Sequence, residues 1–97
     1  MKDGHYFTED GGEAWFQNGK YHRMDGPAII WSNGTKEWYQ NGKRHREDGP
    51  AIIWSGERNA YFLNDISYPQ IKNDVFWRIE VHRMKRKAKV KEKNNEE

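Results

Sequence analysis

His22, Arg23 and Asp25 are the residues of this 97-residue chain most suited to chemistry, and they recur 23 positions later as His45, Arg46 and Asp48. An imidazole near a carboxylate suits general-base catalysis or metal ligation. A guanidinium beside them suits a phosphate or an acidic surface. Each trio sits inside a longer phrase. WFQNGKYHRMDGPAIIW runs from Trp15 to Trp31, and WYQNGKRHREDGPAIIW from Trp38 to Trp54.

A single ion needs converging ligands. His22 and His45 stand one 23-residue step apart, on the order of 10 Å if two strand spacings separate them. There is no HExxH cluster, no GxxxxGK[ST] and no GxGxxG, so neither a metal nor a cofactor is expected. An enzyme would be a small nuclease or phosphodiesterase using His22 and His45 with Asp25 and Asp48. A flat sheet offers few pockets for that. The plainer reading packs each His on the Trp across its hairpin, with one ring nitrogen bonded to the following Asp. Asp25-Gly26-Pro27 and Asp48-Gly49-Pro50 then read as turns: Asp caps, Gly takes the backbone excursion, and Pro opens a strand where no donor is needed.

These residues must be held by short strands. Asn18-Gly19, Asn41-Gly42 and Asn64-Asp65 mark one series of turns, and Asp10-Gly11, Asn33-Gly34 and Ser55-Gly56 a second. Asn-Gly between alternating runs is a strong hairpin signal, because both central residues need positive φ. Strands are expected near 5–9, 13–17, 20–24, 28–32, 35–40, 43–47, 51–55, 58–63 and 66–68, as one continuous antiparallel meander. A two-residue loop at Asn41-Gly42 sets Gln40 opposite Lys43, Tyr39 opposite Arg44, Trp38 opposite His45 and Glu37 opposite Arg46. Opposed residues share a face. One face is therefore a Trp/His/Ile stripe with Trp15, His22, Trp38 and His45. The other mixes Phe16, Tyr21 and Tyr39 with Arg23, Arg44 and Arg46. The third copy decays after Asn64, as a terminal unit should.

After Tyr68-Pro69 the pattern changes. Asn73 or Asp74 can cap a helix running from about 74 to 86, with Val75, Phe76, Ile79 and Arg83 along one side. Phe76, Trp77 and Ile79 are expected to pack over the end of the sheet. The expected organisation is a β domain over 1–72, this helix within 73–86, and a charged flexible tail over 87–97.

Composition bounds the rest. The hydrophobic share is 34% and the charged share 33%, but five Trp, five Tyr and four Phe argue for a folded core built on rings, each able to bury roughly 150–250 Å². There is no Cys, which fits a reducing compartment. No apolar run approaches the ~18 residues of a membrane span, and no secretory pattern opens the sequence. A cytoplasmic protein that does not engage membranes is expected. Residues 1–77 carry net charge −2 and residues 78–97 carry +4. The basic tail, with Lys85, Arg86, Lys87 and Lys89, is thus the place for sequence-blind nucleic-acid binding. Two open sheet edges and a thin core also make a homodimer one route to stability.

WFQNGKYH and WYQNGKRH resemble the opening half of MORN repeats, 23-residue hairpin units, over about residues 5–68. After the His the chain departs from that pattern: Arg-x-Asp-Gly-Pro-Ala replaces Gly-x-Gly. The variant resembles one seen in small bacteriophage proteins that often carry a following helix with Phe-Trp, as Phe76-Trp77 here. The resemblance implies a β-meander of hairpin repeats, and a scaffold or interaction surface rather than an activity. A phage setting implies an anti-defence accessory factor in the infected bacterial cell, blocking a host protein or sequestering a phosphorylated small molecule. The residues for such binding are Arg23, Arg46, Arg44, Tyr39, Tyr21, His22 and His45.

Overall fold

The computed structural model describes residues 3–56 and 58–95. Its strands are short: β1 (Gly4–Phe7), β2 (Glu13–Gln17), β3 (Lys20–Tyr21), β4 (Ile29–Ile30), β5 (Lys36–Glu37), β6 (Tyr39–Gln40), β7 (Lys43–Arg44), β8 (Ile52–Ile53), β9 (Asn59–Ala60), β10 (Phe62–Leu63) and β11 (Ile66–Ser67). One helix, α1 (Asp74–Asn95), follows. The protein is thus mainly antiparallel β with one C-terminal helix, and every expected strand position carries a strand.

The hairpin turns form as their residues dictate. Asn18 and Gly19 take φ of 54° and 76°, Asn41 and Gly42 take 54° and 80°, and Asn64 and Asp65 take 48° and 69°. These left-handed pairs tighten the turn to two residues. They set Phe16 opposite Tyr21 and Tyr39 opposite Arg44, in the register expected from sequence.

The strands do not form one continuous meander. The main sheet runs β1-β2-β4-β5-β8-β9, with β3 paired to β2, while β6-β7 and β10-β11 are separate hairpins. The expected strand over 35–40 breaks at Trp38. Glu37 pairs with Ile29 and Ile52 in the main sheet, whereas Tyr39 pairs with Arg44. Trp38 donates its backbone N–H to Ala51 O at 2.7 Å. The strand over 58–63 breaks likewise at Tyr61, whose flanking strands β9 and β10 pair with β8 and β11.

Backbone bonds tie one hairpin to the next, and they recur at the 23-residue interval. Arg23 N donates to Tyr39 O and Arg46 N to Phe62 O; Gly42 N donates to Tyr21 O and Asp65 N to Arg44 O. Ala28, Ile29, Ala51 and Ile52 are buried where the sheet pairs. Ala at 28 and 51 leaves room for close approach between the main sheet and the loops.

The helix opens at Asn73, whose side-chain oxygen accepts the Phe76 N–H at 3.0 Å. That satisfies one of the orphan donors of the first turn. Trp77 packs as expected, but Phe76 and Ile79 do not. Trp77 and Val81 are buried, against Tyr61 with Leu63, Tyr68 and Ile71 alongside, while Val75, Phe76 and Ile79 are exposed. Two apolar stripes run along the helix, and the sheet takes the one carrying the largest ring. Trp77 sits 5.3 Å from Tyr61 and 5.2 Å from Tyr68 between ring centres. Its indole N–H donates to Arg46 O at 2.9 Å. The helix also passes the expected end at 86 and continues to Asn95. The Lys, Arg, Ala and Glu of that segment are good helix formers, with no Gly or Pro to stop it.

Candidate functional site

The two His-Arg-x-Asp-Gly-Pro loops flank a concavity of about 670 Å³, lined by Arg23, Asp25, Trp38, His45, Arg46 and Asp48 among others. The sequence places both candidate arginines on the Tyr39 face. The structure instead lays Arg23 over Trp15, 3.8 Å from the ring centre, and Arg46 over Trp38 at 3.9 Å. Arg46 therefore does not meet Glu37. The cause is local: the β6-β7 pairing ends at Arg44, so the alternation of faces no longer holds two residues later.

Each arginine is spent on its own loop. Arg23 Nε donates to Asp25 at 3.0 Å and Nη1 to Pro27 O at 3.2 Å. Arg46 makes the same two bonds, to Asp48 at 3.0 Å and Pro50 O at 3.1 Å. Asp25 and Asp48 thus accept from arginine. Gly26 and Gly49 do not take positive φ, contrary to the expected excursion. A Cβ at either would lie 2.9 Å from the guanidinium carbon folded over it, so a side chain there must displace the arginine.

The histidines are latches between hairpins. His22 Nδ1 accepts the Asn41 N–H at 2.9 Å, and His45 Nδ1 accepts the Asn64 N–H at 3.2 Å. The expected bonds from these rings to Asp25 and Asp48 are replaced by these contacts, and His45 Nε2 meets Glu47 at 3.1 Å. A ring nitrogen that accepts from a backbone amide is occupied and is no base for a substrate. His5, rather than His22, stacks on Trp15, with ring centres 4.0 Å apart and planes 7° apart. Among the described residues no group of three His, Cys, Asp or Glu side chains could hold a metal ion.

The remaining candidates do come together. Tyr6, Phe16, Tyr21 and Tyr39 form a row with ring centres 5.7, 4.8 and 5.3 Å apart in turn. Arg44 extends it, its guanidinium 5.8 Å from Tyr39 and 5.5 Å from Phe62. Tyr61 packs against Trp77 and Val81 of α1. The row is half-exposed along its length.

Beneath it lies Glu37, 7% exposed. Its carboxylate accepts from Trp31 Nε1 at 2.5 Å, Tyr39 Oη at 3.0 Å and Arg44 Nε at 3.2 Å. A buried carboxylate needs such partners. Burial, together with the adjacent Glu37 charge, raises the Tyr39 phenol above its ordinary value, so it stays a donor. Sequence reasoning assigned Glu37 to Arg46 and missed Trp31. The available signal was positional: 23 residues either side of Glu37 stand Ala14 and Ala60, so the carboxylate is no requirement of the local architecture.

In the basic segment, Lys85 is bonded to Glu47, and this contact first, then His45, holds the Glu47 carboxyl below its ordinary range despite partial burial. Lys85 is therefore turned to the loop it would have to leave in order to meet a phosphate. Arg86 and Lys87 are exposed. The Lys89 side chain lies outside the described residues. No helix among the described residues is long and apolar enough to cross a membrane. Compared with known proteins, the chain matches no family model, no curated protein and no solved structure.

Proposed function

We propose that this chain is a non-enzymatic binding protein that engages a partner protein through the aromatic row and Arg44. The observation that carries this reading is the row itself: four linked rings and a guanidinium, half-buried to exposed. Tyr, Phe and Arg are the side chains that supply most energy at protein interfaces. Glu37 holds Tyr39 and Arg44 in place, so little ordering cost falls on binding.

On this reading the copies are MORN-like hairpin units whose His, Arg and Gly build the fold, while the residues that differ between copies choose the partner. The resemblance to phage proteins makes that partner a protein of the infected bacterial cell, met in its cytoplasm. The test is affinity capture from bacterial lysate with the wild type and with a Tyr21→Leu/Arg44→Gln variant. The variant keeps bulk over the sheet and a donor to Glu37. A protein held in stoichiometric amount by the wild type should be lost by the variant at unchanged melting temperature. Equal capture by both would overturn the assignment. Capture of nucleic acid alone, released by salt, would move the function to the basic segment.

A further inference from the structure

A second cavity, about 440 Å³, opens beside Trp54 and is lined also by Arg58, Asn59, Ser67, Tyr68 and Lys72. Its charge sets it apart. Two cations line it and, among the described residues, no carboxylate does. Three other concavities hold acids: Asp25, Glu47 and Asp48 in the one between the two loops, Glu9, Asp10 and Glu13 in one near the N-terminus, and Glu37 between Trp31 and Trp54. Asp74, which accepts from the Tyr61 hydroxyl, is not among the lining residues.

The two cations are available. Arg58 and Lys72 are exposed, and neither joins an ion pair among the described residues; Lys72 donates to Pro69 O at 3.3 Å. Arg23, Arg44, Arg46 and Lys85, by contrast, are each paired with a carboxylate. The aromatic wall shows the same contrast. Trp31 spends its indole N–H on Glu37. Trp54, its counterpart 23 residues on, has Ala60 where Glu37 would stand, and it is 42% exposed.

We propose that this cavity binds a nucleoside phosphate, with the phosphate between Arg58 and Lys72 and the base stacked on the Trp54 indole. Arg and Lys together give a fork and a point charge for phosphate oxygens, and an indole face accepts any base by stacking. Asn59 and Ser67 offer polar atoms for the sugar. The volume falls within the ~300–1,000 Å³ usual for small-molecule sites. This site is separate from the aromatic row and stands or falls independently of it.

The experiment is calorimetric titration of the full chain with ADP and, separately, with pyrophosphate, at low and high salt. Saturable one-to-one ADP binding is expected, weakened at least tenfold by Arg58→Ala/Lys72→Ala with the melting temperature unchanged. Trp54→Leu should weaken ADP but leave pyrophosphate as in the wild type. The Tyr21→Leu/Arg44→Gln variant should bind ADP normally, so loss of the partner reading would not touch this one. No saturable ADP binding at millimolar concentration would overturn the proposal. So would equal binding by the Arg58/Lys72 variant, or ADP binding no tighter than pyrophosphate and unchanged by Trp54→Leu.

Discussion

Arg46 lies over Trp38 with its guanidinium 3.9 Å from the ring centre, and Arg23 lies over Trp15 in the same way at 3.8 Å. A stacked guanidinium that also bonds a main-chain carbonyl is worth more than an exposed ion pair. The partner Asp48 is 78% exposed, where screening leaves a pair ~0–1 kcal/mol. Arg46→Ala should therefore cost about 1–3 kcal/mol in urea unfolding, from the lost stacking and charged hydrogen bonds. Asp48→Asn should cost less than about 1 kcal/mol. Comparable losses in both would show that the ion pair, and not the stack, holds the loop.

Gly49 gives a sharper test of the same contact. A Cβ there would stand 2.9 Å from the Arg46 guanidinium carbon. Gly49→Ala should destabilise by about 1–3 kcal/mol in the wild type, as overpacking does, and by much less when Arg46 is already Ala. A double-mutant cycle reads the difference directly. A cost independent of Arg46 would place the requirement for glycine in the backbone.

Trp77 is the one large side chain fully buried among the described residues. It contacts Tyr61 and Tyr68 and donates to Arg46 O. Trp77→Ala should cost about 3–5 kcal/mol, whereas Phe76→Ala, on the exposed stripe, should change the urea midpoint little. The reverse order would mean that the helix packs by its other face.

The Tyr61 hydroxyl, which donates to Asp74 at 2.8 Å, is pushed up from 10.0 to about 12, first by burial and then by that carboxylate. The folded-state value is the higher one, so the stabilising contribution is complete below pH 10 and lost as pH rises through 12. Tyr39 shifts in the same direction, so the comparison must be with Tyr61→Phe. That variant should lose less stability than the wild type between pH 10 and 12. Parallel profiles would separate the Tyr61 titration from unfolding.

Sequence was informative where local chemistry decides. Asn-Gly and Asn-Asp pairs demanded left-handed turns, and a two-residue loop left one register for Tyr39 and Arg44. Asn73 and Asp74 both announced the helix start, and Asn73 is the one that caps it. It was less informative where partners come from elsewhere. Alternation put Arg46 on the Tyr39 face, but pairing ends at Arg44 and the side chain turns back to Trp38. Trp77 was expected to pack together with Phe76 and Ile79; it alone does so, because Tyr61 and Tyr68 offer rings to pack against. Glu37 read as half of a surface pair, and only the bonds from Trp31, Tyr39 and Arg44 show it buried at the centre of the aromatic face.

The most direct measurement is binding by the Tyr21→Leu/Arg44→Gln variant set beside its melting curve. The account predicts that the protein held by the wild type is lost while the melting temperature stays within a few degrees, since Leu at 21 keeps apolar bulk over the sheet and Gln at 44 keeps the donor to Glu37. Full retention of that partner would contradict it and send the search for the interface away from the aromatic row.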